Sequence, residues 1–173
     1  MKNIKFFLIL FLSLFIFTLF FFGLKKDINY YPTNFEKKVD FNFNSKDLFT
    51  LQNISLNEIL KKDGYTLLNI WSSWCLPCRK EHKMLMELKN SKNLNMIGLN
   101  YKDETNNAKN FILENGNPFQ KIFIDNDGTK SVMLGAYGVP ETYLIKNDEN
   151  IIIKKYIGIL NLKNISEIKK ILK

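Results

Sequence analysis

The stretch that decides the fold is Tyr65–His82, which reads YTLLNIWSSWCLPCRKEH. It opens with a mostly apolar run of strand length, and a helix-forming segment follows over about 76–90. Cys75 stands just before this segment and Cys78 in its first turn, with two residues between them. Pro77 suits the first turn of a helix, where the amide hydrogen that proline lacks would have no partner. The sequence therefore predicts a strand, a short loop and a helix that begins with two thiols.

The position of the two cysteines favours thiol–disulfide chemistry. At a helix N-terminus, unpaired N–H groups and the helix dipole stabilise an anion, so Cys75 is the expected nucleophile. Cys78, one turn into the helix, is expected to be less exposed and to act as the resolving thiol. A small structural disulfide is one alternative, and a metal site that adds His82, the sole histidine, is another.

The rest of the chain alternates between strand-like and helix-like segments. A capping box at Ser55 opens a short helix, and turn signals separate the other segments. This order predicts a mixed α/β sheet with helices on both faces and a terminal β-hairpin. Strands are predicted at 39–43, 48–51, 94–101, 121–125, 141–146 and 151–157, and helices at 104–114 and 161–173.

The N-terminal region predicts a membrane anchor. Residues 6–24 contain no charge, and 19 residues in a helix approach the ~30 Å of a bilayer's hydrocarbon core. A cleaved signal peptide is the alternative, but no alanine that could form its cleavage site precedes Ala108. The expected organisation is an uncleaved anchor at 1–26, a linker or strap at 27–39 and a redox domain at 40–173.

Composition excludes several other classes of protein. The chain has 173 residues, a net charge of +8 and 46% hydrophobic residues, which is too apolar for a disordered chain. Nucleic-acid binding favours concentrated arginine, whereas Arg79 is the sole arginine and the remaining basic residues are dispersed lysines.

The residues that resemble a known family lie in four blocks, at 68–82, 98–103, 116–118 and 135–142. In this order they resemble the thioredoxin superfamily, and within it the membrane-anchored CcmG or DsbE family of bacterial cytochrome c maturation. The resemblance implies a thioredoxin-like α/β fold, with a central mixed sheet and helices on both faces, preceded by one N-terminal transmembrane helix.

The resemblance also implies roles for individual residues. The peptide bond before Pro140 should be cis, and Trp74, Pro140 and Glu141 should contact the substrate. Glu81 matches an acid of the family and is the candidate for proton transfer to and from Cys78. A solvated surface glutamate is the alternative for Glu81.

The function that the resemblance implies is that of a single-pass protein of the bacterial inner membrane, with its redox domain in the periplasm. It would reduce disulfides of apocytochrome c or of a haem-handling thiol partner, and a membrane thiol carrier would reduce it in turn. No bound cofactor or metal is required. The alternatives are a general thiol reductase or oxidant of exported proteins, and a tethered module that binds a metal or a partner.

Overall fold

The computed structural model describes residues 2–24, 37–38, 43–60 and 63–173. The chain divides into two compact units, Met1–Tyr30 and Tyr31–Lys173. Most of the predicted linker at 27–39 and most of the predicted strand at 39–43 lie outside the described residues.

The described residues of the first unit form helix α1 (Lys2–Leu24). Within it, Ile4–Gly23 form a segment of 20 residues that is long and apolar enough to cross a membrane. Its two hydroxyl groups bond to the helix's own backbone, Ser13 to the Leu10 carbonyl and Thr18 to that of Leu14. These bonds satisfy hydroxyl groups that would otherwise be costly in an apolar environment.

The second unit is built on a six-stranded mixed sheet, with a separate two-stranded sheet beside it. The strands are β1 (Lys37–Lys38), β2 (Asn44–Lys46), β3 (Asn53–Ser55), β4 (Tyr65–Trp71), β5 (Leu94–Tyr101), β6 (Lys121–Asp125), β7 (Glu141–Lys146) and β8 (Ile151–Ile157). The other helices are α2 (Leu56–Leu60), α3 (Leu76–Leu88), α4 (Thr105–Asn115), α5 (Thr129–Met133) and α6 (Leu162–Ile171).

The strand order of the large sheet is β1-β8-β7-β4-β5-β6. Strands β4, β5 and β6 are parallel, because α3 and α4 return the chain to the same edge, whereas β7 pairs antiparallel with both β4 and β8. The predicted mixed sheet and terminal hairpin are therefore confirmed.

Alternate residues of β4 reach the two faces of the sheet, as the period of two in a strand requires. Leu67 and Trp71 pack in a core cluster that includes residues of α3, α4 and α6. Leu68 and Ile70 pack in a second cluster with residues of α2. Helices therefore cover both faces of the sheet. The loop that connects β4 to α3 leads to the two cysteines at the start of α3.

One prediction about local structure is wrong, and one helix was not predicted. Residues 48–51 do not pair as a strand, because the Asp47 carboxylate accepts hydrogen bonds from the amides of Phe49 and Thr50 and closes a turn. The apolar Leu48 does not belong to a strand. Its side chain is instead fully buried in the core. Helix α5 was not predicted, because its five residues are too few to show a helical period.

Candidate active site

The two cysteines form a disulfide at the start of α3, with their Cα atoms 5.3 Å apart. Cys75 is the N-cap residue of the helix, and its Sγ atom accepts a hydrogen bond from the Cys78 amide at 3.1 Å. Pro77 lies in the first helical turn, as predicted. A sulfur that accepts a backbone N–H at a helix N-terminus is placed where a thiolate is stabilised.

The expected difference in exposure between the two cysteines is absent, because Cys75 and Cys78 are each 3% exposed. Both side chains belong to the core cluster of the α3 face. What distinguishes them is the backbone, since only Cys75 occupies the capping position. Trp74 and Leu76 flank Cys75 and are exposed by 56% and 70%, so two exposed apolar side chains adjoin the buried Cys75 in the chain.

The loop before Cys75 is held by Asp103, a residue to which the sequence assigned no role. Asp103 Oδ1 accepts from Ser73 Oγ at 2.8 Å, and its Oδ2 accepts from the Ser73 amide and from Asn100 Nδ2. The block at 98–103, which resembles the known family, was the signal in the sequence that could have drawn attention to Asp103. The sequence did not reveal its partner Ser73, because the two residues lie thirty positions apart in the chain. Asp103 therefore joins the end of β5 to the loop that carries the disulfide.

Two further contacts fix the same loop. Trp74 donates its indole N–H to the Lys102 carbonyl at 3.0 Å. Arg79 donates from Nε to the Ser73 carbonyl at 2.7 Å, and its guanidinium lies 5.0 Å from the centre of the Phe111 ring. The exposed indole is consequently held in one orientation beside Cys75.

Glu81 is fully buried, which excludes the alternative of a solvated surface glutamate. One of its carboxylate oxygens accepts from Asn69 Nδ2 and the other from the Leu160 amide, each at 2.9 Å. Burial raises the pKa of Glu81 from 4.5 to about 7, although these two hydrogen bonds oppose the shift. Glu81 follows Cys78 by one helical turn, so a group that can gain or lose a proton near neutral pH lies on the same face of α3.

His82 is a packing residue of α3. It is 6% exposed, its Nε2 lies 2.9 Å from the Gly116 carbonyl oxygen, and its ring contacts Phe111 edge to face. Burial lowers the pKa of His82. Within the described ranges, no group of three His, Cys, Asp or Glu side chains is arranged to hold a metal ion.

The loop before β7 contains the cis peptide bond that the resemblance implied, between Val139 and Pro140. Val139 packs against the core cluster that contains the two cysteines. Pro140 is buried, and its carbonyl accepts from the Gly158 amide at 2.9 Å. The loop is thereby attached to both the β8 end and the α3 face of the core.

Glu141 is buried, with 1% of the residue exposed. Its Oε1 accepts from the amides of Tyr137 at 2.7 Å and Gly138 at 3.2 Å. Its Oε2 accepts from the Tyr143 hydroxyl at 3.0 Å and forms an ion pair with Lys155 at 3.0 Å. Each carboxylate oxygen is therefore engaged inside the protein, and any direct contact of Glu141 with a substrate stays a prediction.

Comparison with known proteins places the chain in a family. The Redoxin family model matches residues 40–172. The thiol:disulfide interchange protein CycY of Rhizobium leguminosarum bv. viciae is 45% identical over 58% of this chain, and the match spans 54% of that protein, about half its length. A Pasteurella multocida protein named as a thiol:disulfide interchange protein, DsbE-2, is 36% identical over 91% of this chain and 81% of its own.

Among solved structures, the thioredoxin domain of a thiol-disulfide oxidoreductase from Bacteroides vulgatus is similar with a TM-score of 0.64. It is 22% identical, and the match covers 76% of this chain and 93% of that domain. At this identity the likeness shows the fold alone, and it confirms the thioredoxin-like architecture. The chain therefore belongs to the Redoxin family, as a thioredoxin-like protein whose relatives are thiol:disulfide interchange proteins of the CycY and DsbE kind.

Proposed function

We propose that the protein is a membrane-tethered thiol:disulfide oxidoreductase that reduces disulfides of its partners through Cys75 and Cys78. The observation that carries the proposal is the Cys75–Cys78 disulfide at the N-terminus of α3, where the Cys75 sulfur accepts the Cys78 amide. The same contact in the reduced protein would favour the Cys75 thiolate, the attacking species in disulfide exchange.

The proposed reaction begins when the Cys75 thiolate attacks one sulfur of the partner's disulfide. A bond forms between Cys75 and the partner, and the partner's other sulfur leaves as a thiolate. The Cys78 thiolate then attacks the Cys75 sulfur, which closes the Cys75–Cys78 disulfide and releases the second partner sulfur. The partner gains two electrons and, once its thiolates are protonated, two protons, and the dithiol loses the same number.

Glu81 is the proposed proton carrier for Cys78. The second step requires Cys78 as a thiolate, so its proton must move to a nearby base. The carboxylate of Glu81 suits that task because burial brings its pKa to about 7, near the pH at which the protein would work. We expect the rate of the second step to follow the ionisation of Glu81, and Glu81→Gln to remove that pH dependence.

The proposed substrate contacts lie on the surface around the disulfide. Trp74 is the flanking aromatic residue, and its indole is fixed by the Lys102 carbonyl. The cis-proline loop is the second proposed contact, because Val139, which precedes the cis bond to Pro140, packs against the core cluster that contains the cysteines. Since the Pro140 carbonyl is already bonded to Gly158, we expect the backbone of Val139 to meet the bound peptide.

The proposed substrate is apocytochrome c, or a partner protein that handles its haem-binding thiols. Support comes from the four blocks of sequence that resemble the cytochrome c maturation family. Haem attaches to free thiols, so reduction of a C-x-x-C-H disulfide would keep the site competent. A membrane thiol carrier would return the Cys75–Cys78 disulfide to the dithiol form.

The proposed location is the bacterial inner membrane, with α1 as a single-pass anchor and the redox domain in the periplasm. The length and apolarity of Ile4–Gly23 support an anchor.

The proposal is tested by trapping the partner with the full-length protein. Cys78→Ser should accumulate a mixed disulfide between Cys75 and its partner, whereas Cys75→Ser and the doubly substituted chain should not. Mass spectrometry should identify a C-x-x-C-H peptide or a haem-handling protein in the adduct. Trapping by Cys75→Ser instead would reverse the assigned roles of the two thiols.

The reduction potential separates the proposal from a general oxidant. We expect alkylation of the two thiols across a glutathione series to give a value at or somewhat above about −270 mV, whereas about −120 mV would make the protein an oxidant. Deletion of the gene should remove C-type cytochromes alone. A broad folding defect of exported proteins would favour a general reductase.

A further inference from the structure

The cis-proline loop at 135–140 is attached to a buried lysine on the neighbouring strand. The side chain of Lys155, on β8, is 2% exposed, and its Nζ atom lies 3.0 Å from the carboxylate of Glu141, whose side chain is 1% exposed. Burying a charge is unfavourable unless a partner compensates it. Here the two charges compensate each other, and neither reaches the surface.

Lys155 contacts the loop at its beginning and middle, and it contacts the residue that directly follows the loop. Its ammonium donates to the Gly135 carbonyl at 2.8 Å, lies 4.2 Å from the centre of the Tyr137 ring and pairs with Glu141. Glu141 in turn accepts from the amides of Tyr137 and Gly138. Lys155 and Glu141 together therefore determine the path of the backbone that leads to the cis bond.

The loop that they hold is exposed on its other side. Tyr137 is 85% exposed although its amide is bonded to a buried carboxylate. An aromatic ring whose backbone is held in place can bind with little loss of conformational entropy. Val139, two residues on, packs against the cluster that contains the cysteines, so the loop runs from this exposed ring to the core around the disulfide.

The ion pair and the proposed proton carrier lie on opposite faces of the sheet. On one face, Thr142 accepts a hydrogen bond from Asn69, which also donates to Glu81. The residues on either side of Thr142, Glu141 and Tyr143, point to the other face, where they contact each other. Lys155 therefore acts on the loop and not on the thiol chemistry. Because apolar replacements of buried ion pairs are often equally stable, stability alone is a weak reason for this pair.

Resting on the proposed function, we propose that Lys155 is a positioning residue that, through Glu141, Gly135 and Tyr137, holds the cis-proline loop in the conformation that receives a partner peptide. Its loss should impair exchange with a peptide disulfide more than exchange with a small disulfide, because glutathione disulfide needs little beyond access to Cys75.

The test compares full-length chains in detergent micelles, with Lys155→Met as the disruptive variant and Lys155→Arg as the conservative one. Lys154→Met is the matched control, since Lys154 is adjacent in the chain but pairs with Glu167 where both side chains are about 40% exposed. Two quantities are measured. One is hydrogen exchange of the amides of Tyr137 and Gly138, and the other is the ratio of reduction rates for a disulfide-bonded C-x-x-C-H peptide and for glutathione disulfide.

For Lys155→Met we expect exchange of the two loop amides to rise at least tenfold while exchange in β4 and β5 stays unchanged. The rate ratio should fall at least fivefold, Lys155→Arg should recover at least half of it, and Lys154→Met should match the natural protein. Unchanged loop exchange, faster exchange throughout the domain, or equal losses with both disulfides would overturn the proposal. If Lys155→Met does not fold, Lys155→Met combined with Glu141→Gln leaves no charge unpaired, and it is compared with Glu141→Gln alone, so that the same outcomes, measured as differences between these two variants, decide.

The proposed function can fail separately. If the natural protein reduces neither disulfide, the reductase assignment is wrong, and the hydrogen exchange of the loop still decides whether Lys155 positions it.

Discussion

Substituting Glu81 by glutamine should change how the stability of the domain depends on pH. The pKa of Glu81 is about 7 in the folded protein and 4.5 ordinarily. Between these values the folded state keeps a proton that the unfolded state has released, so the free energy of unfolding falls as pH rises. At about 1.4 kcal/mol per pH unit, the loss amounts to about 3 kcal/mol and is complete above pH 7. Glutamine does not titrate and should lack this loss.

The buried site has the groups needed to accept glutamine. Asn69 Oδ1 is buried and has no hydrogen-bond partner among the described residues. If the Asn69 side-chain amide flips by 180°, Asn69 Oδ1 can accept a hydrogen bond from Nε2 of the new glutamine. The Thr142 hydroxyl can then donate to the same Asn69 oxygen. The Leu160 amide keeps an acceptor in the glutamine carbonyl. We therefore expect Glu81→Gln to fold.

The assay is urea denaturation of the oxidised full-length protein in detergent, followed by tryptophan fluorescence from pH 4 to pH 8. The quantity of interest is the free energy of unfolding of the natural protein minus that of Glu81→Gln. The subtraction removes the contribution of His82, whose pKa is lowered by burial, so that its effect on stability has the opposite sign.

This difference should fall by about 3 kcal/mol between pH 4 and pH 7 and then stay level. Glu87→Gln is the matched control for removing a carboxylate from this helix, because Glu87 lies on the same helix and is exposed. A difference for Glu81→Gln that stays constant within about 1 kcal/mol over this range would refute the assignment of a buried, titrating acid.

Three further predictions concern the surroundings of the site and the apolar N-terminal segment. Asp103→Ala should lower the free energy of unfolding by about 1–3 kcal/mol in urea denaturation, because it leaves the Ser73 amide and hydroxyl without an acceptor; a change below about 0.5 kcal/mol would contradict the role of this contact. Gly98→Ala should cost about 1–3 kcal/mol in the same measurement, since the added Cβ would lie 2.8 Å from Trp71 Nε1, and an unchanged midpoint would show that the indole can move. Residues 2–24 should keep the protein in the membrane pellet after carbonate extraction with its N-terminus intact, whereas release or a shortened N-terminus would indicate a cleaved signal peptide.

Local features of the sequence were enough to predict the elements that bear the chemistry. The strand and helix around Cys75 and Cys78 follow from an apolar run, a proline at a helix start and the spacing of the thiols. The cis bond before Pro140 came from the resemblance of its neighbours to a known family. Helix α5 could not be predicted, because five residues carry too little periodic signal.

By itself, the sequence determined the order of strands and helices from β4 to α6 apart from α5, the apolar segment at the N-terminus and the redox pair at the start of α3. Only the tertiary structure decided the state of the buried charges. Glu81 meets the Leu160 amide across 79 positions of the chain, and Glu141 meets Lys155 through the pairing of β7 with β8. The physical reason is that burial and hydrogen bonding set the pKa and the role of a carboxylate, and both depend on strand order and register, which place residues far apart in the chain side by side.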